Sequence, residues 1–327
     1  MVYLIYGEDN YRSGKKLEAI KEKYRSTCGD MNLVEIDATE ANYDFLINQI
    51  SASPFLANKR LVIIKYLSRS DPKLKERLLA HLKKIPDSTV LFFYEESIDR
   101  RTNFLDIFIK AKIPIEEFTA LSQIKLKNWI KSEFEPSGVN ITSSALEKLI
   151  SSSGSNLWNM GEDIKKIINY KVGQKHFKTA ESLDVTEKDV SLLVKETIEV
   201  NVFHYVDFLI SGDLKKSLDY LQVLLSSKEE PIRLLGLIVS QFRSLIMIKD
   251  LLDNNSGITS GMVAKQTGIN PYVVSKFVGR AKMVQMKSLK EKYNRLYECD
   301  KAMKTGKIEP NLALYLLTVR LCDNFNK

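Results

Sequence analysis

Over roughly the first 120 residues, hydrophobic positions fall into short β-branched or aromatic runs separated by stretches of helical spacing. That alternation predicts a parallel sheet covered by helices. The expected strands are 2–6 (VYLIY), 33–37 (LVEID), 61–65 (LVIIK), 90–94 (VLFFY) and 113–118 (IPIEEF). The run LVII is continuous rather than alternating, as expected of a strand buried on both faces. Between the runs, 11–25 places Leu17, Ile20 and Tyr24 on one helical face, and 42–50 does so with Phe45, Leu46 and Ile50.

After Thr119 the β signal largely stops, and helices are expected over 121–135, 142–152, 157–170 and 186–194, with Thr142 and Thr186 as N-caps. From Asn201 the pattern is wholly helical, broken at Ser211-Gly212, Glu230-Pro231, 254–257, Asn270-Pro271 and Glu309-Pro310. The segments 214–225, 232–252, 272–284, 289–303 and 312–325 should pack as a bundle. The fold class is therefore α/β plus α. No internal repeat or low-complexity tract interrupts it.

A chain of 327 residues exceeds one ordinary core and suggests two or three domains. Its 44% hydrophobic and 28% charged residues are those of a globular protein. No run reaches the ~18 consecutive apolar residues of a membrane span, and the opening MVYLIYGEDN lacks a basic segment followed by a long apolar one. The expected location is the cytoplasm, with no membrane partner. Cys28, Cys299 and Cys322 lie far apart and His81, His176 and His204 stand alone, so no metal-ligand spacing occurs and no metal is expected. The net charge of +8 makes nucleic-acid contact plausible without proving it.

A strand followed by Gly7 raises the question of a phosphate-cradling loop. Gly7 and Gly14 are separated by six residues, where the motif needs four, and Gly14-Lys15 is followed by Lys16, where a hydroxyl should reach the magnesium ion. The second requirement is a carboxylate at the end of a neighbouring strand. After LVII the chain offers Lys65-Tyr66, and Glu95-Glu96 after VLFFY is a weaker candidate. Gly7, Gly14 and Lys15 thus read as a degenerate phosphate loop, with ATP hydrolysis and a bound cofactor not expected. No nucleophile elbow or paired catalytic group appears elsewhere.

Five collinear segments resemble the DNA polymerase III delta subunit family of bacterial clamp loaders: YLIYGEDNYR (3–12), SPFLANKRLVIIK (53–65), SIDRRTNFLDIFIK (97–110), NVFHYVDFLISGDLKKSL (201–218) and INPYVVSKFVGRAK (269–282). The resemblance implies an AAA+-like α/β domain over 1–138, a small helical lid over 139–210 and a helical collar over 211–327. It implies a subunit that binds the beta sliding clamp and helps to open it for loading on primed DNA, itself without ATP hydrolysis. The implied partners are the clamp, ATPase and delta-prime type loader subunits, and primer-template DNA within the assembled loader.

The family's clamp-binding element is an exposed apolar pair at the end of the helix before the third strand. By position it is Phe55-Leu56 here, in the reverse of the commoner Leu-Phe order, preceded by Ser53 and Pro54. Lys59 and Arg60, with Lys65 beyond, would steer the domain toward an acidic clamp, and Arg100-Arg101 would face a neighbouring subunit. From spacing alone, Phe55 and Leu56 would instead close off the sheet's own core. The apolar excess in LLGLIVSQFRSLIMIKDLL likewise fits either a subunit interface or an internal core. Two other readings stay open: a working AAA+ ATPase or nucleotide switch, and a basic DNA-binding module.

Overall fold

The computed structural model describes residues 1–99, 101–176 and 183–323. Arg100 and the last positions of the final expected helix, 324 and 325, lie outside the described residues. The chain divides into two units, Met1–Ala120 and Leu121–Lys327.

The first unit runs β1 (Val2–Tyr6), α1 (Asn10–Cys28), β2 (Leu33–Asp37), α2 (Tyr43–Ser51), β3 (Arg60–Lys65), α3 (Pro72–His81), β4 (Thr89–Glu95), α4 (Phe104–Lys110), β5 (Ile115–Glu117). All five strands are parallel, in the order β2-β3-β4-β1-β5. Successive side chains of a strand point to opposite faces. Val62, Ile64, Leu91 and Phe93 accordingly pack against Leu46 of α2, Leu78 of α3 and Phe108 of α4. Leu61, Ile63, Val90 and Phe92 meet Leu17 of α1 on the other face. Leu61 to Ile64 are all 0% exposed, so the continuous apolar run is a strand covered on both sides. The fifth strand is shorter than the expected 113–118. Pro114 has no N–H and joins only through its carbonyl, which accepts from Leu4 N at 3.0 Å.

The second unit contains α5 (Gln123–Phe134), β6 (Asn140–Ile141), α6 (Ser143–Ser153), α7 (Leu157–His176), β7 (Asp184–Val185), α8 (Glu187–Leu193), α9 (Ile198–Ser211), α10 (Leu214–Ser226), α11 (Pro231–Asn254), α12 (Ser260–Thr267), α13 (Pro271–Met283), α14 (Met286–Lys304), α15 (Pro310–Cys322). Thr142 and Thr186 are N-caps, the latter in a reciprocal capping box with Asp189. Pro231, Pro271 and Pro310 begin α11, α13 and α15, where the missing N–H would have no intrahelical partner. The small β6-β7 pair and α12 carry too few residues to show in the apolar pattern.

Two apolar clusters fill this unit. The first joins Leu126, Ile130 and Phe134 of α5 with Leu149 of α6, Ile164 of α7 and Val190 of α8. For that reason the first break in the chain falls at Ala120, where 138 is the expected position. The second cluster gathers α9 to α15 around Phe242, Phe277, Leu296 and Leu314. By length and composition α11 could cross a membrane, with mean hydropathy 1.4 over its most apolar stretch. Here it is the central helix of the bundle, burying Leu234, Leu235, Ile238, Phe242, Leu245 and Ile248. The apolar excess of that segment is thus core. The exposed stripe lies on α15 instead, where Leu312, Tyr315, Leu316 and Val319 follow helical spacing.

Candidate docking surface at the α2–β3 connection

Helix α2 is N-capped by Asn42, whose side chain accepts from Phe45 N at 2.8 Å, and ends at Ser51. Phe55 and Leu56 therefore sit in the connection beyond the helix, not on its last turn, since Ala52 is extended and Pro54 forbids helical geometry before it. Their exposures are 57% and 92%, so neither closes the core of the sheet. Leu56 has φ 48°, a left-handed conformation that a branched side chain seldom adopts.

The connection is fixed at both feet. On one side, Thr89 Oγ1 donates to Ile50 O at 2.8 Å at the end of α2. Beyond Leu56, Lys59 Nζ donates to Asp87 O at 2.6 Å, and Arg60 donates to Gln49 Oε1 at 2.9 Å. Both cations expected to steer a partner are thus half-buried and engaged with their own domain. Ser53 is exposed and Pro54 half-buried. A third tie comes from Asn32, in the turn Asp30–Asn32 before β2. Its amide accepts from Phe55 N at 2.7 Å and donates to Phe55 O at 2.8 Å. Sequence reasoning passed over Asn32, because a polar residue ahead of a strand carries no signal of a partner 23 positions away.

The residues read as a degenerate phosphate loop do not share one loop. Between β1 and α1 only Gly7, Glu8 and Asp9 remain, while Gly14 and Lys15 lie inside α1. Lys15 Nζ sits 4.8 Å from the centre of the Tyr11 ring, and Lys16 pairs with Glu116 at 3.7 Å. The N-terminus of α1, where an anion would bind, is capped by the buried Asp9, whose carboxylate accepts from Arg12 N at 3.0 Å and pairs with the Arg12 guanidinium. A carboxylate already occupies that positive end. Gly7 itself has φ 144°, and a Cβ there would lie 2.1 Å from Phe118 O, so the glycine serves the close approach of β1 and β5.

The acidic pair after β4 is split. Glu95 is 0% exposed and accepts from Ser68 N at 2.8 Å and Ser68 Oγ at 2.6 Å. Burial raises its pKa against the opposing pull of those bonds. Glu96 accepts from Tyr66 Oη at 3.0 Å and pairs with Arg69 at 3.3 Å. At the end of β3, Lys65 pairs with Glu35. Arg101 forms a fork with Asp99, holding that carboxyl at about 2. Among the described residues no group of three metal-ligating side chains converges.

Two family models match the chain: DNA polymerase III, delta subunit, over residues 3–118, and the C-terminal domain of the DNA polymerase III delta subunit over 199–321. The chain belongs to the DNA polymerase III delta subunit family. Among its delta relatives, DNA polymerase III subunit delta of Bacillus subtilis is 25% identical over 100% of this chain and 94% of its own length. A probable delta subunit of Aquifex aeolicus is 26% identical over 88% of this chain and 82% of its own. The solved Bacillus subtilis DNA clamp loader delta protein has the same fold, with TM-score 0.72 at 23% identity, covering 99% of this chain and 95% of that one. Both family matches end outside 119–198, so α5 to α8 are carried by the whole-chain delta likenesses.

Proposed function

We propose that the chain is the clamp-loader subunit that grips the beta sliding clamp, inserting Phe55 and Leu56 into an apolar cleft on the ring. The observation that carries this reading is the conformation of Leu56, 92% exposed and held at φ 48°. A large apolar side chain kept in a disfavoured backbone state and in water contributes nothing to its own fold. Burying such a side chain is worth about 1.5–3 kcal/mol, so two of them can anchor an interface. Binding helps to open the ring only if the open form is held more tightly than the closed one.

ATP hydrolysis falls to companion subunits, a reading supported by the Asp9 cap at the N-terminus of α1 and by Lys16 facing Glu116. The helical unit serves as lid and collar. Its α15 stripe of Leu312, Tyr315, Leu316 and Val319 is the face for the other loader subunits, and primer-template DNA is engaged only in that assembly, in the cytoplasm.

The deciding experiment measures the affinity of purified sliding clamp for the parent and for a Phe55→Ala, Leu56→Ala variant of verified fold. A loss of at least about tenfold, ~1.4 kcal/mol, is expected. Equal binding by both removes the pair as anchor, and no binding by the parent at micromolar concentration removes the clamp reading. ATP turnover by the isolated chain would restore an active ATPase, and steeply salt-dependent DNA binding by the monomer a DNA-binding module.

A further inference from the structure

A side-chain amide offers one acceptor oxygen and two N–H donors. In Asn32 all of this capacity is used: Oδ1 accepts from Phe55 N at 2.7 Å, and Nδ2 donates to Phe55 O at 2.8 Å and to Cys28 O at 2.7 Å. Asn32 is 2% exposed, so these bonds have little competition from water. One buried side chain thus holds both main-chain groups of Phe55 and ties them to the last residue of α1. It does for Phe55 what a neighbouring strand does for a ladder residue, but at a single position in an exposed connection.

The residue that follows is Leu56, left-handed and almost fully exposed. A lone loop would drift out of that conformation, because an L-residue of this shape disfavours it. It persists only where neighbouring structure over-determines it. The peptide planes on either side of Phe55 are set by the Asn32 bonds, and Lys59 is anchored on Asp87 O beyond Leu56. The space left for Leu56 is therefore narrow.

We infer that Asn32 is the positioning residue of the docking loop, holding Phe55 and Leu56 in their display geometry before the partner arrives. The inference rests on the proposed grip of the sliding clamp and specifies how that site is kept ready. Ordering a loop at the moment of contact subtracts from affinity, and a loop ordered in advance avoids that loss.

The test combines Asn32→Ala with two readouts on the full chain: affinity for purified sliding clamp, and hydrogen exchange of the 53–58 segment set against β3 and β4. The expected result is a loss of about tenfold in affinity, with faster exchange confined to 53–58 and unchanged exchange in β3 and β4. Undiminished affinity would overturn the inference while leaving the grip of the clamp standing. A loss accompanied by faster exchange throughout β3 and β4 would also overturn it, since Asn32 would then only support the fold. Failure of the parent to bind the clamp would overturn the grip itself, and the inference with it. If Asn32→Ala does not fold, the parent still decides, because the Phe55 amide must be protected in the free chain. Exchange there at the rate of an unstructured peptide refutes the hold of Asn32 on Phe55.

Discussion

Replacing Leu56 by Asn should stabilise the first unit and weaken its docking at the same time. At φ 48° an ordinary L-residue is disfavoured by about 1–2 kcal/mol, whereas Asn is several-fold enriched in that region. Leu56 is 92% exposed, so the exchange removes almost no internal contact that could offset the relief. The expected gain in stability is up to about 1 kcal/mol. Docking loses the burial of one Leu, about 1.5–3 kcal/mol, which is about 10- to 150-fold in affinity. Trp129 and Trp158, the only two tryptophans, both belong to the second unit, so tryptophan emission does not arise from the first. Hydrogen exchange of β3 and β4 reports the stability of the first unit, since those strands open only with their own unit. Affinity is read separately on purified sliding clamp. A drop in β3 and β4 protection by more than about 1 kcal/mol would show that the Leu56 side chain supports the fold. Unchanged clamp affinity would show that it anchors nothing. Either result refutes the reasoning, which requires strain and exposure to coincide because the residue serves a partner.

Gly7→Ala should destabilise the first unit by more than about 2 kcal/mol, because the added Cβ would lie 2.1 Å from Phe118 O. Accelerated exchange in β1 and β5 peptides is the check. Lys292 is 2% exposed, donates to Leu209 O and Leu321 O, and is pushed down to about 8 by burial. Between about pH 8 and 10.5 the unfolded chain holds a proton that the folded one has released, so this group makes stability rise with pH across that window. Cys299, pushed up to about 11 by burial, acts in the opposite direction from about pH 9. The difference in denaturation midpoint between parent and Lys292→Met reports the lysine together with its coupling to the neighbouring Cys322 thiol, and a gap that does not change with pH would disprove its role. Leu312→Glu, on the exposed stripe of α15, should change the chain's own stability by less than about 0.5 kcal/mol yet prevent assembly with companion loader subunits. Native mass spectrometry of the mixture would reveal either outcome.

Much of this architecture was legible in the linear pattern because it depends on local periodicity. The run 61–64 fitted a strand covered on both faces, and the prolines at 231, 271 and 310 marked breaks between helices. Spacing likewise departed from that of a working phosphate loop at Gly7 and Gly14, and the resemblance pointed to 55 and 56 as the pair of interest. Tertiary structure decided where those positions lie. Whether Phe55 and Leu56 face the core or water depends on how the chain leaves α2 and is met by Asn32 from another element, and no pattern of nearby residues encodes that meeting. Helix α11 was apolar enough to suit a core or an interface, and only its packing among α9, α13 and α14 made it core. The N-terminus of α1 is capped by Asp9, a pairing with Arg12 that the glycine spacing did not reveal. Local chemistry determines which elements form, but exposure and pairing are set by parts of the chain far away in sequence, and those become neighbours only on folding.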